Sequence, residues 1–314
     1  MRVLDAKATA AALPYEPLIA AVAAAMRARR AGTLSAPDRT VLPLPAGGTY
    51  LVMPAVDARL AVTKLVTVHP ANRAAGLPTI HAQVLIADAA TGQPLAMLDG
   101  PTVTARRTAA LTVLGIRTLA CAPVEELTLV GTGAQASAHA AAFAQTLSLR
   151  TLRIVGRTPE QAQRWCEANE GLATRSMQLV PEASIDSALA HSQCVVTATT
   201  SRTPVLPEEA LRAELLVVGV GAFKPELAEI PPGAARSRRV VVDDLHGART
   251  EAGDLLQAGI DWSRVGELVD ALDRSAPGEG VIFKTVGHAA WDHAAAAVAC
   301  RALRLEPNPT PEGA

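Results

Sequence analysis

Leu127-Thr128-Leu129-Val130-Gly131-Thr132-Gly133-Ala134-Gln135-Ala136 decides the fold. A short apolar run ends in a glycine turn, and helix formers follow over Ala134–Thr146, so the order is strand, turn, helix. The glycines fall in the pattern Gly-x-Gly-x-x-Ala. Gly131 permits a tight turn, Gly133 removes a Cβ where a phosphate must approach the backbone, and Ala136 lets the helix pack closely on the strand. Free N–H groups and the positive end of the helix dipole favour an anion at that point. A second strand over Thr151–Val155 ends about 20 residues beyond the turn, as a dinucleotide-binding βαβ unit requires. The glycine pattern alone is weak; its placement between strand and helix makes it specific.

Working outward, residues 159–167 read as a helix, and residues 194–198, 215–219 and Arg239–Val242 as further strands. Strands alternating with helices imply a parallel sheet. A second glycine-rich turn, Val217-Val218-Gly219-Val220-Gly221-Ala222, lacks a helical continuation because Pro225 follows, so it reads as a loop at the carboxyl edge of the sheet, where ligands bind. Thr197-Ala198-Thr199-Thr200-Ser201 holds an equivalent position, with a plain polar turn as the alternative. The candidate cofactor contacts are therefore Gly131, Thr132, Gly133, Ala134, Gln135, Thr197, Ala198, Thr199, Val220 and Gly287. At the end of the second strand stands Ile154-Val155-Gly156-Arg157-Thr158, with no acid to accept from a ribose 2′-hydroxyl. Arg157 can pair with a 2′-phosphate and Thr158 can donate to it. NADPH is the expected cofactor, with NADH less favoured; the alternative is a solvated arginine at a helix start.

The 314 residues are 49% hydrophobic and 19% charged, which suffices for a sizeable core and excludes global disorder. Lys+Arg is 29 against Asp+Glu 30, and aromatic residues make up 3%, so neither the basic excess nor the stacking platforms of a nucleic-acid binder are present. Cys121, Cys166, Cys194 and Cys300 are scattered, with no metal-ligand spacing and no disulfide framework, so no metal is expected and a cytoplasmic location is the simplest reading. The apolar run over residues 18–26 is too short to span a bilayer and ends in Arg27, Arg29 and Arg30, so no membrane partner is expected.

Before the βαβ part the texture differs. Residues 14–30 read as a helix, and residues 49–53, 61–68, 79–87 and 94–98 as strands separated by Gly47-Gly48, the 70–76 segment and Thr91-Gly92. That run predicts an antiparallel or mixed sheet. Helices follow over residues 101–120 and 289–305, with a frayed tail from Pro307. Lys64 interrupts the apolar strand Ala61-Val62-Thr63-Lys64-Leu65-Val66 and is costly to bury unpartnered; a lysine on an edge strand is the alternative. Arg107 lies among the small residues of Thr104-Ala105-Arg106-Arg107-Thr108-Ala109-Ala110, and Arg39 in a loop. Singly, each reads as a surface cation.

As a set, the motifs resemble the ornithine cyclodeaminase/μ-crystallin family. Those carrying the likeness are Val52-Met53-Pro54, Thr63-Lys64-Leu65-Val66-Thr67, Pro78-Thr79-Ile80-His81, residues 88–99, Arg107-Thr108-Ala109-Ala110, Gly131-Thr132-Gly133, Glu251-Ala252-Gly253-Asp254-Leu255, and Phe283-Lys284-Thr285-Val286-Gly287 with Asp292. The resemblance spans about residues 35 to 300. It implies an α/β chain with a Rossmann-type parallel-sheet domain at 116–288 and a mixed α/β substrate-binding and dimerisation domain formed by 1–115 with 289–314. It further implies a homodimer, and that Arg39, Lys64 and Arg107 hold the carboxylate of an amino or imino acid, with Met53, Thr79 and His81 lining the same pocket. Lys64 and His81 are the candidate proton-handling residues; a lone strand histidine is also an ordinary hydrogen-bonded residue.

One departure separates activities within the family. Its cyclodeaminase members carry an Asp after the segment matching Gly219-Val220-Gly221-Ala222; here Phe223 stands there and transfers no proton. The expected activity is NADPH-dependent reduction of a cyclic imino acid, Δ1-pyrroline-2-carboxylate or Δ1-piperideine-2-carboxylate, with Phe223 as an apolar wall to the ring. The alternatives are NAD-dependent ornithine cyclodeamination, a non-catalytic binding protein, and a linear ketimine as substrate.

Overall fold

A computed structural model describes residues 1–173, 177–273, 278 and 280–305. The expected frayed tail from Pro307 lies outside them. In chain order the strands and α-helices are β1 (Arg2–Val3), α1 (Ala6–Ala11), α2 (Tyr15–Arg30), β2 (Thr40–Leu44), β3 (Gly48–Val56), β4 (Leu60–Val68), β5 (Ile80–Asp88), β6 (Pro94–Asp99), α3 (Gly100–Leu119), β7 (Glu126–Val130), α4 (Ala134–Thr146), β8 (Thr151–Val155), α5 (Pro159–Ala168), β9 (Gln178–Pro181), α6 (Ile185–His191), β10 (Cys194–Thr197), β11 (Leu216–Gly219), α7 (Pro232–Ser237), β12 (Arg239–Val242), α8 (Leu245–Glu251), α9 (Gly253–Ala258), β13 (Gly266–Glu267), α10 (Leu268–Ala271), β14 (Val281–Lys284) and α11 (Ala289–Leu303). Two compact units are present, residues 1–110 with 288 onward, and residues 111–287.

The first unit holds a six-stranded sheet in the order β1-β6-β5-β4-β3-β2. It is mixed, because β1 runs parallel to β6 while the other pairs are antiparallel. Strict alternation gives it two faces. In β4 the residues Val62, Lys64 and Val66 are buried, and in β5 Ala82, Val84 and Ile86, while the residues between them are less covered. α11 packs against α2 and against β3 and β4. Its run of alanines permits that close approach, and nearly every side chain from Ala289 to Ala296 is buried.

The second unit is an eight-stranded, all-parallel sheet in the order β13-β12-β14-β11-β10-β7-β8-β9. Its central strands are continuous apolar runs, as strands covered on both faces must be. From β7 the chain builds β8 and β9 on one side, then crosses to β10 and β11 on the other, so the turn after β7 stands at the topological switch point, where α/β sheets bind ligands. The expected parallel α/β architecture is what the structure contains. β1, β2, β9, β13 and β14 were not expected from sequence.

No helix among the described residues is long and apolar enough to cross a membrane.

Candidate active site

In the first unit, β4 places Lys64 in register between Met53 of β3 and Val84 of β5, on the buried face. Lys64 is 3% exposed and Met53 beside it is buried. A lysine ammonium so placed requires a counter-charge, and α11 supplies one: Asp292 Oδ2 lies 2.8 Å from Lys64 Nζ. The Arg107 guanidinium, 6% exposed, comes from α3 and donates through Nε to Asp292 Oδ1 at 3.2 Å. Lys64 Nζ also reaches Thr104 Oγ1 at 3.5 Å. Two cations thus share one buried carboxylate. Among the described residues the terminal nitrogens of Arg107 have no hydrogen-bond partner, so the planar edge that binds carboxylates bidentately is left over.

The electrostatics follow from this crowding. Burial lowers the Lys64 ammonium to about 8, with Asp292 opposing and the Arg107 and Arg39 charges adding to the fall. Burial alone would raise the Asp292 carboxyl, but the Lys64 and Arg107 charges outweigh it and hold it below its ordinary value. Half-buried Arg39 therefore acts on the same cluster through its charge. Thr79 is half-buried just before β5.

His81 departs from expectation. It pairs across the sheet with Thr67, an odd number of residues from Lys64, so the two side chains leave opposite faces, and His81 is exposed. The strand period of two places the His81 and Lys64 side chains on opposite faces of the sheet.

In the second unit, Gly131 follows β7 with φ +125°, a conformation that side chains rarely adopt, and a Cβ there would stand 2.6 Å from the Ala198 carbonyl oxygen. Gly133 is the N-cap of α4, and among the described residues no side chain caps that helix and nothing lies within 4 Å of where a Gly133 Cβ would be. Among those residues the first N–H groups of α4 are therefore presented without a side-chain acceptor, and Gln135 Oε1 nearby is buried without a partner. A dinucleotide's pyrophosphate fits this cradle. Thr132 and Ala134 belong to the same turn. The Arg157 side chain is exposed after β8, and Thr158 caps α5 by accepting from the Gln161 N–H at 3.3 Å.

Three other candidates, Thr197, Ala198 and Thr199, make contacts that the sequence did not specify. Thr197 is fully buried and its hydroxyl bonds the Val218 carbonyl inside the sheet, so that side chain faces strand, not ligand. Ala198 and Thr199 contribute through backbone: the Ala198 carbonyl packs on Gly131, and the Thr199 N–H is taken by a buried carboxylate, Glu229. Val220 is buried, whereas Phe223 is 40% exposed. Gly287 has φ +82°, and its N–H donates to Asp243 Oδ2 at 3.0 Å.

The sequence reading did not assign roles to Asp292 or Glu229. The available signal for Asp292 was one acid inside the Ala-rich run Ala289-Ala290-Trp291-Asp292-His293-Ala294; Glu229, between Ala228 and Ile230, offered a similar one. Among the described residues no cluster of three or more His, Cys, Asp or Glu is arranged to hold a metal ion.

Comparison with known proteins places this geometry. A Δ(1)-pyrroline-2-carboxylate reductase 1 from Burkholderia multivorans is 47% identical over 303 residues, covering 96% of this chain and 94% of that protein. The Δ(1)-pyrroline-2-carboxylate/Δ(1)-piperideine-2-carboxylate reductase of Azospirillum brasilense is 47% identical over 306 residues, covering 96% and 94%. The structure of Thermococcus litoralis Δ(1)-pyrroline-2-carboxylate reductase in complex with NADH and L-proline superposes with a TM-score of 0.87 at 25% identity, covering 97% of this chain and 98% of that one. The sequence profile of the ornithine cyclodeaminase/mu-crystallin family matches residues 2–303, and this chain belongs to that family.

Proposed function

We propose that the protein reduces a cyclic imino acid, Δ1-pyrroline-2-carboxylate and/or Δ1-piperideine-2-carboxylate, to proline or pipecolate, with NADPH as reductant. The observation that carries the reading is the buried Lys64–Asp292–Arg107 cluster, with two cations to one carboxylate and the Arg107 terminal nitrogens unspent. Such a cluster is short of one negative charge, and a small carboxylate supplies it with charge-assisted hydrogen bonds. The names of the reductases that share nearly half of this sequence support the substrate class.

The residues divide the work as follows. Arg107 fixes the substrate carboxylate and hence the direction of the C=N bond, with Arg39 adding positive charge. Met53 pairs with Lys64 across β3 and β4 on the buried face, and Thr79 is assigned to the substrate ring. The nicotinamide cofactor, held at the Gly131–Gly133 turn, supplies a hydride. Lys64, its ammonium lowered by burial to about 8, is the member of the cluster able to release a proton to the imine nitrogen near neutral pH. Phe223 cannot activate water, which favours reduction over cyclodeamination. The 2′-phosphate is assigned to Arg157 because no acid stands at the end of β8. We further infer a homodimer, and a cytoplasmic setting in keeping with four unpaired cysteines.

The test is spectrophotometric: oxidation of NADPH and NADH with five- and six-membered cyclic imino acids, alongside ammonia release from ornithine with catalytic NAD. Imine-dependent NADPH oxidation with a higher kcat/KM than for NADH is expected. Ammonia release without imine reduction would replace the reductase reading by the lyase one.

A further inference from the structure

Two turns leave the carboxyl edge of the second unit's sheet side by side, since β10 and β11 pair in register up to Thr197 and Gly219. Between them lies Glu229, fully buried. Its Oε1 accepts from the Thr199 N–H at 2.6 Å, and its Oε2 from the Gly221 N–H at 2.6 Å and the Ala222 N–H at 3.2 Å. Every one of these partners is a donor, so the side chain serves as an acceptor-only carboxylate. Burial pushes its carboxyl up and the Lys284 charge opposes that shift.

The turns are as close as backbone allows. A Cβ at Gly221 would stand 2.0 Å from the Thr199 carbonyl oxygen and 2.5 Å from Glu229 Oε1. On the other flank the Ala198 carbonyl touches Gly131, so the glycine turn, the 198–199 turn, Glu229 and the 221–222 turn form one continuous row. A second tier fixes Glu229 in turn. Its own N–H and that of Ile230 donate to Asp254 Oδ1 at 2.5 and 2.8 Å. Asp254 Oδ2 lies 3.5 Å from Lys284 Nζ, which donates to the carbonyls of Gly219 and Thr285 at 3.1 and 3.3 Å.

We propose that Glu229 is a positioning residue for the nicotinamide half of the bound dinucleotide: by taking the N–H groups of both turns it sets the width of the slot beside the glycine turn. This rests on the reading that the chain binds a nicotinamide dinucleotide. Glu229 is too buried to touch substrate; its effect passes through the two turns, whose spacing is prearranged before the ligand arrives.

The experiment measures, by calorimetry on the full chain, the Kd of NADPH and NADH and that of the nicotinamide-free fragments ADP-ribose and 2′-phospho-ADP-ribose. In Glu229→Gln, one face of the amide is a donor set against backbone donors. Loss of charged hydrogen bonds of this kind weakens dinucleotide binding by about 10- to 100-fold, with fragment binding within about twofold of wild type. Gly221→Ala wedges the same turns apart and presses on Glu229 Oε1 while keeping the carboxylate's charge, gives the same selective loss, and carries the test if Glu229→Gln does not fold. Equal weakening of dinucleotide and fragment in both variants, or no weakening of either, overturns the proposal. A wild-type chain that binds no dinucleotide overturns it together with the cofactor assignment. A wild-type chain that binds the dinucleotide but reduces no imine overturns the proposed function alone, and leaves the Kd comparison decisive for Glu229.

Discussion

Arg107 keeps only 6% of its surface in water and uses one guanidinium nitrogen on Asp292. Removing it deletes a desolvated charge pair with substrate of about 2–5 kcal/mol, so Arg107→Ala raises KM by about 30-fold to several thousand-fold; steady-state kinetics with an unchanged KM would remove Arg107 from the site. Asp292 works through its neighbours. Lys64 faces Asp292 from α11, Arg107 and Thr104 from α3, and the Arg39 charge, and of these only Asp292 raises its pKa. The wild-type kcat/KM therefore declines as pH rises through about 8, where Lys64 loses its charge. Asp292→Asn moves that decline to lower pH, and a pH profile of the two enzymes measures the displacement. Lys64 and Arg107 were visible in the sequence because each is a charge set in an apolar or small-residue run. The face His81 takes was not legible: it depends on parity relative to Lys64 through the β4–β5 register, and register is a property of two strands that neither carries alone.

At the scale of elements, α4 joins a ligand turn to a buried histidine. His139 Nδ1 bonds the Gln135 carbonyl at 2.7 Å, so it carries the proton, and Nε2 accepts from the Thr112 hydroxyl at 2.9 Å. Burial lowers this imidazole to about 4. An unfolded histidine takes up its proton near pH 6.5, so between those values the unfolded chain binds more protons than the folded one. Stability is then lost as pH falls from about 6.5 to about 4, by up to about 3 kcal/mol. Urea denaturation across that window measures the slope, and His139→Gln lowers it. Elements such as Ala134–Thr146 and Thr151–Val155 were legible to the residue because period, caps and turns agreed. β14 was not: four residues ending in Lys284 have no period to read, and the strand exists because β11 and β12 flank it. β2 carries Pro43 at a sheet edge and is exposed along most of its length, so neither propensity nor burial marked it.

For the molecule as a whole, the outer face of the first unit's sheet matters most. In one row Met97 pairs with Leu85, Leu85 with Thr63 and Thr63 with Pro54, all on the face opposite Lys64, and Leu85 is exposed. A partly apolar, partly exposed row of this kind offers a place for a partner to pack, and a second copy of the chain is the proposed occupant. On the homodimer reading, Leu85→Glu places a charge there and shifts the assembly toward monomer; light scattering coupled to size exclusion reads the change, and a monomeric wild type would rule the dimer out. The alternation of strands with helices made the parallel sheet legible from sequence. That residues 288 onward rejoin the opening residues in the first unit was legible only through the family resemblance, because return of a chain to a distant sheet leaves no local mark.

Asp292 follows Arg107 by 185 residues, so the one anion of the cluster is made long after the two cations it serves. At ribosomal speeds of about 5–20 residues per second, Lys64 and Arg107 wait about 10–45 seconds for it. During that interval the emerging sheet has every electrostatic reason to stay loose at β4. The Lys64–Asp292–Arg107 cluster is thus one of the last parts of the nascent chain to be completed, and a chain truncated before α11 carries two cations without their buried counter-charge.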